Sequence, residues 1–343
     1  MTKIVIAAGG SGGHLLPAQQ LAEQFKAQPN TSVVFGGYKL RESPFFHRDR
    51  YRFSEIASSQ RLSRPLPLLK GVLQALRFLL REKPDVVVGF GSYHSAPLLL
   101  AAAILRKKIV LYEANRTMGK VNRWIAPFAT EIGCQFPLVD YTSAKVAAVP
   151  LLPWGISPVK TTARDAKKVF GLAPDRLTLL IFGGSQGAAF LNEVMPKVVN
   201  QMENVQVIHL AGSEVAAQAV RAAYRVPAVV KPFETDMPTA YSAADFAICR
   251  SGAGTVAELI RFEVPALLIP YPYATDQHQQ KNSDYLTEHG GSLTLKQSEA
   301  TVGTIMQKIK SANRTALKEA LRSLGKKNTT LRQLYERILE CVQ

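Results

Sequence analysis

The sequence predicts an α/β protein made of two doubly wound parallel-sheet domains in tandem, and three observations carry that expectation. At 343 residues the chain exceeds one ordinary core and suits two. Short β-branched runs alternate with helical patterns from the first residues onward. The alternation then restarts near Leu177, beyond a proline-dense stretch.

In chain order, KIVIAA opens the first domain as an uninterrupted apolar run, which suits a strand covered on both faces. A helix through Leu15 to Phe25 follows, then strands in TSVVFGG, DVVVGF and IVLYEA. VPLLPWGISPVK has too many prolines for a central strand, so the hinge is expected near Pro150 to Pro158. Strands resume in LTLLIFGG, VQVIHLAG, AVVKPF, FAICRSG and ALLIPYP. Leu331, Leu334, Ile338 and Leu339 stand at helical spacing and predict a closing amphipathic helix. The expected division is 1–155, 156–327 and a C-terminal helix in 328–343; whether that helix packs back on the first domain stays open.

Composition narrows the function classes. The chain is 47% hydrophobic and 20% charged, without a low-complexity tract, so a disordered functional region is not expected. Lys and Arg number 42 against 26 Asp and Glu, a net charge of +16 that favours polyanionic partners: nucleic acid, anionic lipid or phosphorylated substrates. The basic residues are scattered and no nucleic-acid motif accompanies them, so nucleic acid is not expected as a partner. Cys134, Cys249 and Cys341 are far apart, with neither disulfide-framework nor metal-ligand spacing, which suits a reducing cytoplasm. The first apolar run stops at Gly9, too short for a signal-peptide core. Apolar stretches such as Pro97 to Leu105 fall below the ~20 residues that cross a bilayer, so membrane contact is expected to be peripheral.

Glycine turns supply the chemistry. KIVIAA runs into Gly9-Gly10-Ser11-Gly12-Gly13-His14 and a helix, where backbone amides can approach a phosphate. The spacing is neither G-x-G-x-x-G nor a P-loop. LTLLIF repeats the device with Gly183-Gly184-Ser185-Gln186-Gly187-Ala188. Gly89 and Gly91, with Ser92, Tyr93 and His94, follow a third strand. FAIC ends in Arg250-Ser251-Gly252-Ala253-Gly254-Thr255, with Glu258 one turn into the next helix. Arg250 and that helix N-terminus suit pyrophosphate, while Glu258 suits either a ribose diol or the helix dipole. Asp276 to Asn282 is rich in carboxamides, which read sugar hydroxyls well.

These stretches, GGSGGH, GSYHSAP, YEANRTMGKVNRW, GGSQGA, CRSGAGTVAEL and PYPYATDQHQQKN, resemble in order and spacing the MurG family of UDP-N-acetylglucosamine transferases, over essentially the whole chain. The resemblance implies the GT-B fold, with two Rossmann-like domains facing a cleft. It also implies transfer of N-acetylglucosamine to undecaprenyl-linked lipid I, giving lipid II, at the cytoplasmic face of the membrane. It places the UDP-N-acetylglucosamine contacts on Ser185, Arg250, Ala253, Gly254, Thr255 and Glu258, with Glu234 near uracil through its backbone and Gln279 on the sugar hydroxyls. Ser11, Gly12, Gly13 and Asn115 would complete the donor site, and His14 and Tyr93 would face the acceptor.

Two departures stand out. Ser11 replaces the usual Thr, a mild change, and Leu152-Pro153-Trp154-Gly155 replaces Asn-Pro-x-Arg, which removes an expected donor-binding arginine. Either Arg250 or another cation substitutes, or diphosphate binding is weaker than in relatives. The chain has no Asp-x-Asp motif, so amide loops and cations are expected to hold the leaving diphosphate without a metal cofactor. His14 is the first candidate for general base, the alternatives being phosphate orientation or helix capping. PLPLLKGVLQALRFLLREK, with Leu69, Val72, Leu73, Leu76, Phe78, Leu79 and Leu80 framed by Lys70, Arg77, Arg81 and Lys83, suits an anionic membrane surface or a core helix. The rival activities are a GT-B transferase that makes another glycolipid and an inactive scaffold of the same fold.

Overall fold

The computed structural model describes residues 1–10, 12–58, 65–151, 161–184, 187–329 and 333–342. It divides into two compact units, Met1–Trp154 with Thr330–Gln343, and Gly155–Thr329.

The first unit holds β1 (Thr2–Ala7), α1 (Gly12–Lys26), β2 (Thr31–Gly37), β3 (Arg52–Glu55), α2 (Pro65–Glu82), β4 (Val86–Gly89), α3 (Ala96–Ile104), β5 (Lys108–Glu113), α4 (Lys120–Ile125), β6 (Glu131–Cys134) and β7 (Val146–Ala148). All seven strands pair in parallel, in the order β3-β2-β1-β4-β5-β6-β7. Sequential strands thus run outward in both directions from the β1–β4 pair, and ligands of such sheets bind where the direction reverses, at the strands' C-terminal ends. Ala7 of β1 registers with Gly89 of β4 there.

The second unit repeats the plan with α5 (Ala163–Val169), β8 (Leu177–Phe182), α6 (Ala189–Val199), β9 (Val205–Leu210), α7 (Glu214–Ala223), β10 (Ala228–Lys231), α8 (Met237–Ala243), β11 (Phe246–Cys249), α9 (Ala253–Phe262), β12 (Ala266–Leu268), α10 (His278–Glu288), β13 (Ser292–Thr294), α11 (Val302–Ser311) and α12 (Arg314–Thr329). Its order, β10-β9-β8-β11-β12-β13, reverses at β8–β11. β8 and β11 end in register, Phe182 against Cys249.

The central strands β1, β4, β5, β8, β9 and β11 are buried almost throughout, the burial expected when helices cover both faces of a parallel sheet. β3, β6, β7 and β13 lie outside the sequence expectation. They are three or four residues long, and three of them are half-exposed edge strands, too short to stand out in the sequence.

α13 (Leu334–Val342) lies in the first unit, where it packs on α1 and β5. Leu334 and Ile338 are fully buried, worth about 1.5–3 kcal/mol each. Arg337 pairs with Glu131, and Lys108 Nζ donates to the Cys341 carbonyl at 2.6 Å. Leu331 lies outside the described residues.

α2 splits between the two readings that its sequence left open. Gly71, Ala75, Phe78 and Leu79 point into the core, with Val72 and Leu76 packed beside them. Leu66, Leu69, Leu73 and Leu80 form a separate exposed stripe with Lys70, Arg77 and Arg81, because steps of three and four residues return to one side of a helix.

Candidate active site

In the first unit the turn after β1 folds around a histidine. Gly10 has φ +86°, a conformation that favours glycine, and a Cβ there would lie 2.5 Å from His94 Nδ1. His94 stacks on Tyr38, with ring centroids 5.3 Å apart and planes 5° from parallel, and its Nδ1 is 3.0 Å from Ser92 Oγ. Burial, then the nearby His14 and Lys39, hold its imidazole below the usual pKa.

His14 stands in the first turn of α1 with Nδ1 2.8 Å from the Phe90 carbonyl, at the end of β4. A carbonyl only accepts, so Nδ1 carries the hydrogen and the neutral ring keeps its lone pair on Nε2. This is the tautomer a general base needs, fixed by backbone. Gly12 packs against the Phe45 ring, and Gly13 is exposed. Tyr93 packs partly buried against the unit's core, and its carbonyl accepts from Ser58 Oγ at 2.7 Å. Ser11 lies outside the described residues.

Asn115 sits where β5 ends, and a neighbour that the sequence did not single out organises its turn. The buried Glu113 carboxylate accepts from the Asn115 amide (3.1 Å) and side chain (3.2 Å), the Gly119 amide (3.0 Å) and Asn122 Nδ2 (2.9 Å). Asp140 ties down the same loop through Thr117, Met118 and Arg123.

In the second unit, the turn after β8 closes with the Gly187 amide on the Gly184 carbonyl at 3.0 Å. A Cβ at Gly183 would collide with the Gly187–Ala188 backbone, and Gly184 and Gly187 have φ +89° and +69°. Ser185 lies outside the described residues. At the end of the neighbouring β11, α9 starts behind Gly252, which has no side chain to cap it. The amides of Ala253, Gly254 and Thr255 precede the first residue able to bond within the helix, since Val256 is the donor to the Gly252 carbonyl. Such a terminus offers several N–H donors and a partial positive charge to an anion.

Glu258, one turn on, is held by Tyr241, whose hydroxyl donates to Oε2 at 2.6 Å. Burial pushes its carboxyl pKa up, and that hydrogen bond opposes the rise. Glu234 turns its carboxylate onto its own loop, to Lys231 Nζ at 2.6 Å and the Asp236 amide at 2.8 Å. Burial raises its pKa, but these partners outweigh burial and hold it below the usual range.

Arg250 differs from expectation in where its donors go. The guanidinium is buried and folded inward, with Nη1 on the Ile269 and Pro270 carbonyls at 2.9 and 3.2 Å and Nη2 on Gln297 Oε1 at 2.7 Å. These contacts take three of the five guanidinium N–H donors, so direct pyrophosphate binding uses the other two or exchanges these bonds. As it stands, Arg250 braces the loop after β12. Ser251 is tied to α10 instead: its hydroxyl donates to the Gln279 carbonyl (2.7 Å) and its carbonyl accepts from Asn282 (3.1 Å). Gln279 Oε1 accepts from the Tyr271 amide at 2.9 Å. The departure at Leu152 to Gly155 lies outside the described residues.

Paired doubly wound units with glycine turns at their reversal points are the architecture of GT-B glycosyltransferases, and solved structures agree. MurG of Acinetobacter baumannii superposes with a TM-score of 0.78 at 28% identity, covering 100% of this chain and 99% of that one. The kitacinnamycin glycotransferase gives 0.74 at 13% identity, covering 99% and 98%, a likeness of fold. The glycosyltransferase family 28 N-terminal domain matches residues 4–134, and the family's C-terminal domain matches 178–338. The UDP-N-acetylglucosamine–N-acetylmuramyl-(pentapeptide) pyrophosphoryl-undecaprenol N-acetylglucosamine transferase of Protochlamydia amoebophila is 43% identical over 83% of this chain and 80% of its own. The enzyme of the same name from Azoarcus sp. is 38% identical over 87% and 86%. The chain belongs to glycosyltransferase family 28, in its MurG group.

Proposed function

We propose that the protein transfers N-acetylglucosamine from UDP-N-acetylglucosamine to the C4 hydroxyl of N-acetylmuramoyl-pentapeptide on undecaprenyl pyrophosphate, with inversion at the anomeric carbon. The observation that carries this reading is the start of α9: three amides without a side-chain cap, with an enclosed carboxylate one turn behind them. On the second unit, the amides of Ala253, Gly254 and Thr255 and the turn at Ser185 bind the diphosphate. Glu258 accepts the ribose hydroxyls, the Glu234 backbone meets uracil, and Gln279 meets the sugar. The transition state separates a cationic sugar from an anionic UDP, so donors fixed in advance lower its energy more than they stabilise the ground state.

On the first unit, His14 Nε2 takes the proton from the attacking hydroxyl while the Phe90 carbonyl holds the ring. Ser11, Gly12, Gly13 and Asn115 serve the donor, and Tyr93 serves the acceptor. Approach to the lipid is peripheral, through the exposed leucines of α2 and their flanking Lys70, Arg77 and Arg81, on an anionic cytoplasmic leaflet. Among the described residues no helix is long and apolar enough to cross a membrane.

A transfer assay with radiolabelled UDP-N-acetylglucosamine and a lipid I analogue tests the proposal: a β-linked disaccharide lipid is expected. Label on diacylglycerol, or no transfer at all, overturns it. In the same assay His14→Ala is expected to lower kcat at least about a hundredfold; turnover within a few-fold of wild type removes His14 as the base.

A further inference from the structure

Tyr241 is among the largest fully buried side chains of the protein. Its ring lies on Phe262, with centroids 5.0 Å apart and planes 16° from parallel, and meets Phe182 edge-on at 6.0 Å. Packing of that kind asks only for a ring, which phenylalanine supplies. The hydroxyl adds a cost on burial unless it finds an acceptor, and it has taken Glu258 Oε2 at 2.6 Å, across from α8 to α9. A carboxylate has lone pairs for about four hydrogen bonds, so this one leaves Oε1 and part of Oε2 unspent.

We propose that Tyr241 is a positioning residue for nucleotide recognition: its hydroxyl fixes the Glu258 carboxylate in the orientation that accepts both ribose hydroxyls. The inference rests on the donor reading above, because it needs a ribose at Glu258. The chemical logic is that of a preorganised acceptor. A carboxylate free to rotate would lose side-chain freedom when the ribose arrives, whereas one already held by a phenol has lost it in the folded protein. Charge points the same way. Burial works against ionised Glu258, Tyr241 works for it, and the other titratable group that interacts with it, the Cys249 thiol of β11, is pushed up by burial and by Glu258 itself. The thiol therefore stays neutral and adds no competing charge.

The test compares UDP with 2′-deoxy-UDP by calorimetry on the full chain. Tyr241→Phe is expected to bind UDP about tenfold more weakly, the worth of one hydrogen bond to a charged group. Its preference for UDP over 2′-deoxy-UDP should narrow, and UDP binding should fail at a higher pH on the acid side, since Glu258 then protonates earlier. In a double-mutant cycle, adding Tyr241→Phe to Glu258→Gln should cost less than twofold, because the phenol acts through the carboxylate. If Tyr241→Phe does not fold, 3-fluorotyrosine at position 241 keeps the ring and donates more strongly, and should move the acid limb to lower pH. An unchanged ribose preference with an unmoved acid limb, whatever the melting temperature, would make Tyr241 a core residue only. Wild-type protein without UDP affinity would overturn the donor reading and this inference together.

Discussion

Helices of the second unit begin in two ways. α7, α8 and α11 start behind Ser213, Asp236 and Thr301, each accepting at 3.2 Å from the amide three residues on. α6 and α9, which follow the two strands at the sheet's reversal point, start behind Ala188 and Gly252 with no side-chain cap, as does α10 behind Gln277 beyond β12. Both kinds have the same unpaired amides and the same dipole, and the sequence satisfies them at one set of helices and leaves them open at the other. A capped start contributes to stability. An uncapped one, at the place where doubly wound sheets bind ligands, keeps its donors for a substrate.

The sharpest way to break this contrast is to give α9 a cap. Gly252 has φ −60° and ψ 151°, open to any residue, and a Cβ there would have Thr255 Oγ1 at 3.9 Å as its nearest neighbour. Gly252→Asp should therefore fold, and should gain about a few tenths of a kcal/mol of stability as its carboxylate takes the α9 amides. UDP affinity should fall about a thousandfold, since two charge-assisted hydrogen bonds are lost and a like charge is added. Tight UDP binding with a raised melting temperature would dissolve the distinction.

The framework behind the uncapped turn should instead show in stability against pH. His209 is buried between Tyr224 and Asn192, and burial lowers its pKa from 6.5 to about 4. The unfolded chain takes a proton near pH 6.5 that the folded one refuses until about 4. Stability is thus full above 6.5 and falls by up to about 3 kcal/mol as pH drops through that window. Denaturant titrations of wild type and His209→Gln would check this; equal pH slopes would rule out the histidine as the cause.

Arg250 sharpens the contrast next, because three of its five donors are spent on the carbonyls after β12 and on Gln297 after β13. If no other cation replaces the arginine that the family resemblance leads one to expect at position 155, Gly155→Arg should tighten UDP binding about tenfold, measured by calorimetry. Unchanged affinity would mean that the phosphate site is already complete. The smallest effect belongs to a structural cap: Thr301→Ala should cost about 1 kcal/mol in a melting experiment and leave UDP affinity within twofold.

Much of this was legible in the sequence because it is local. Glycine turns directly after apolar runs mark strand ends, and the central strands declare themselves by continuous burial. β3, β7 and β13 did not, being short edges exposed on one side, and β6 hides its strand behind Glu131, whose partner Arg337 lies 206 residues on. The same limit applies in the site. Tyr241 reads as one more aromatic on an apolar helix until the fold brings it to Glu258. Arg250 reads as a phosphate ligand until the Ile269 and Pro270 carbonyls and Gln297 are seen to occupy it. Glu113 stands inside a quoted motif, but four converging donors, not its spacing, reveal what it organises.

A crystal structure of the protein with UDP bound tests the central claim most directly. The account expects pyrophosphate oxygens about 2.7–3.2 Å from the amides that open α9, with the ribose hydroxyls on Glu258. A diphosphate seated away from Ala253, Gly254 and Thr255, or a ribose that leaves Glu258 untouched, would contradict it.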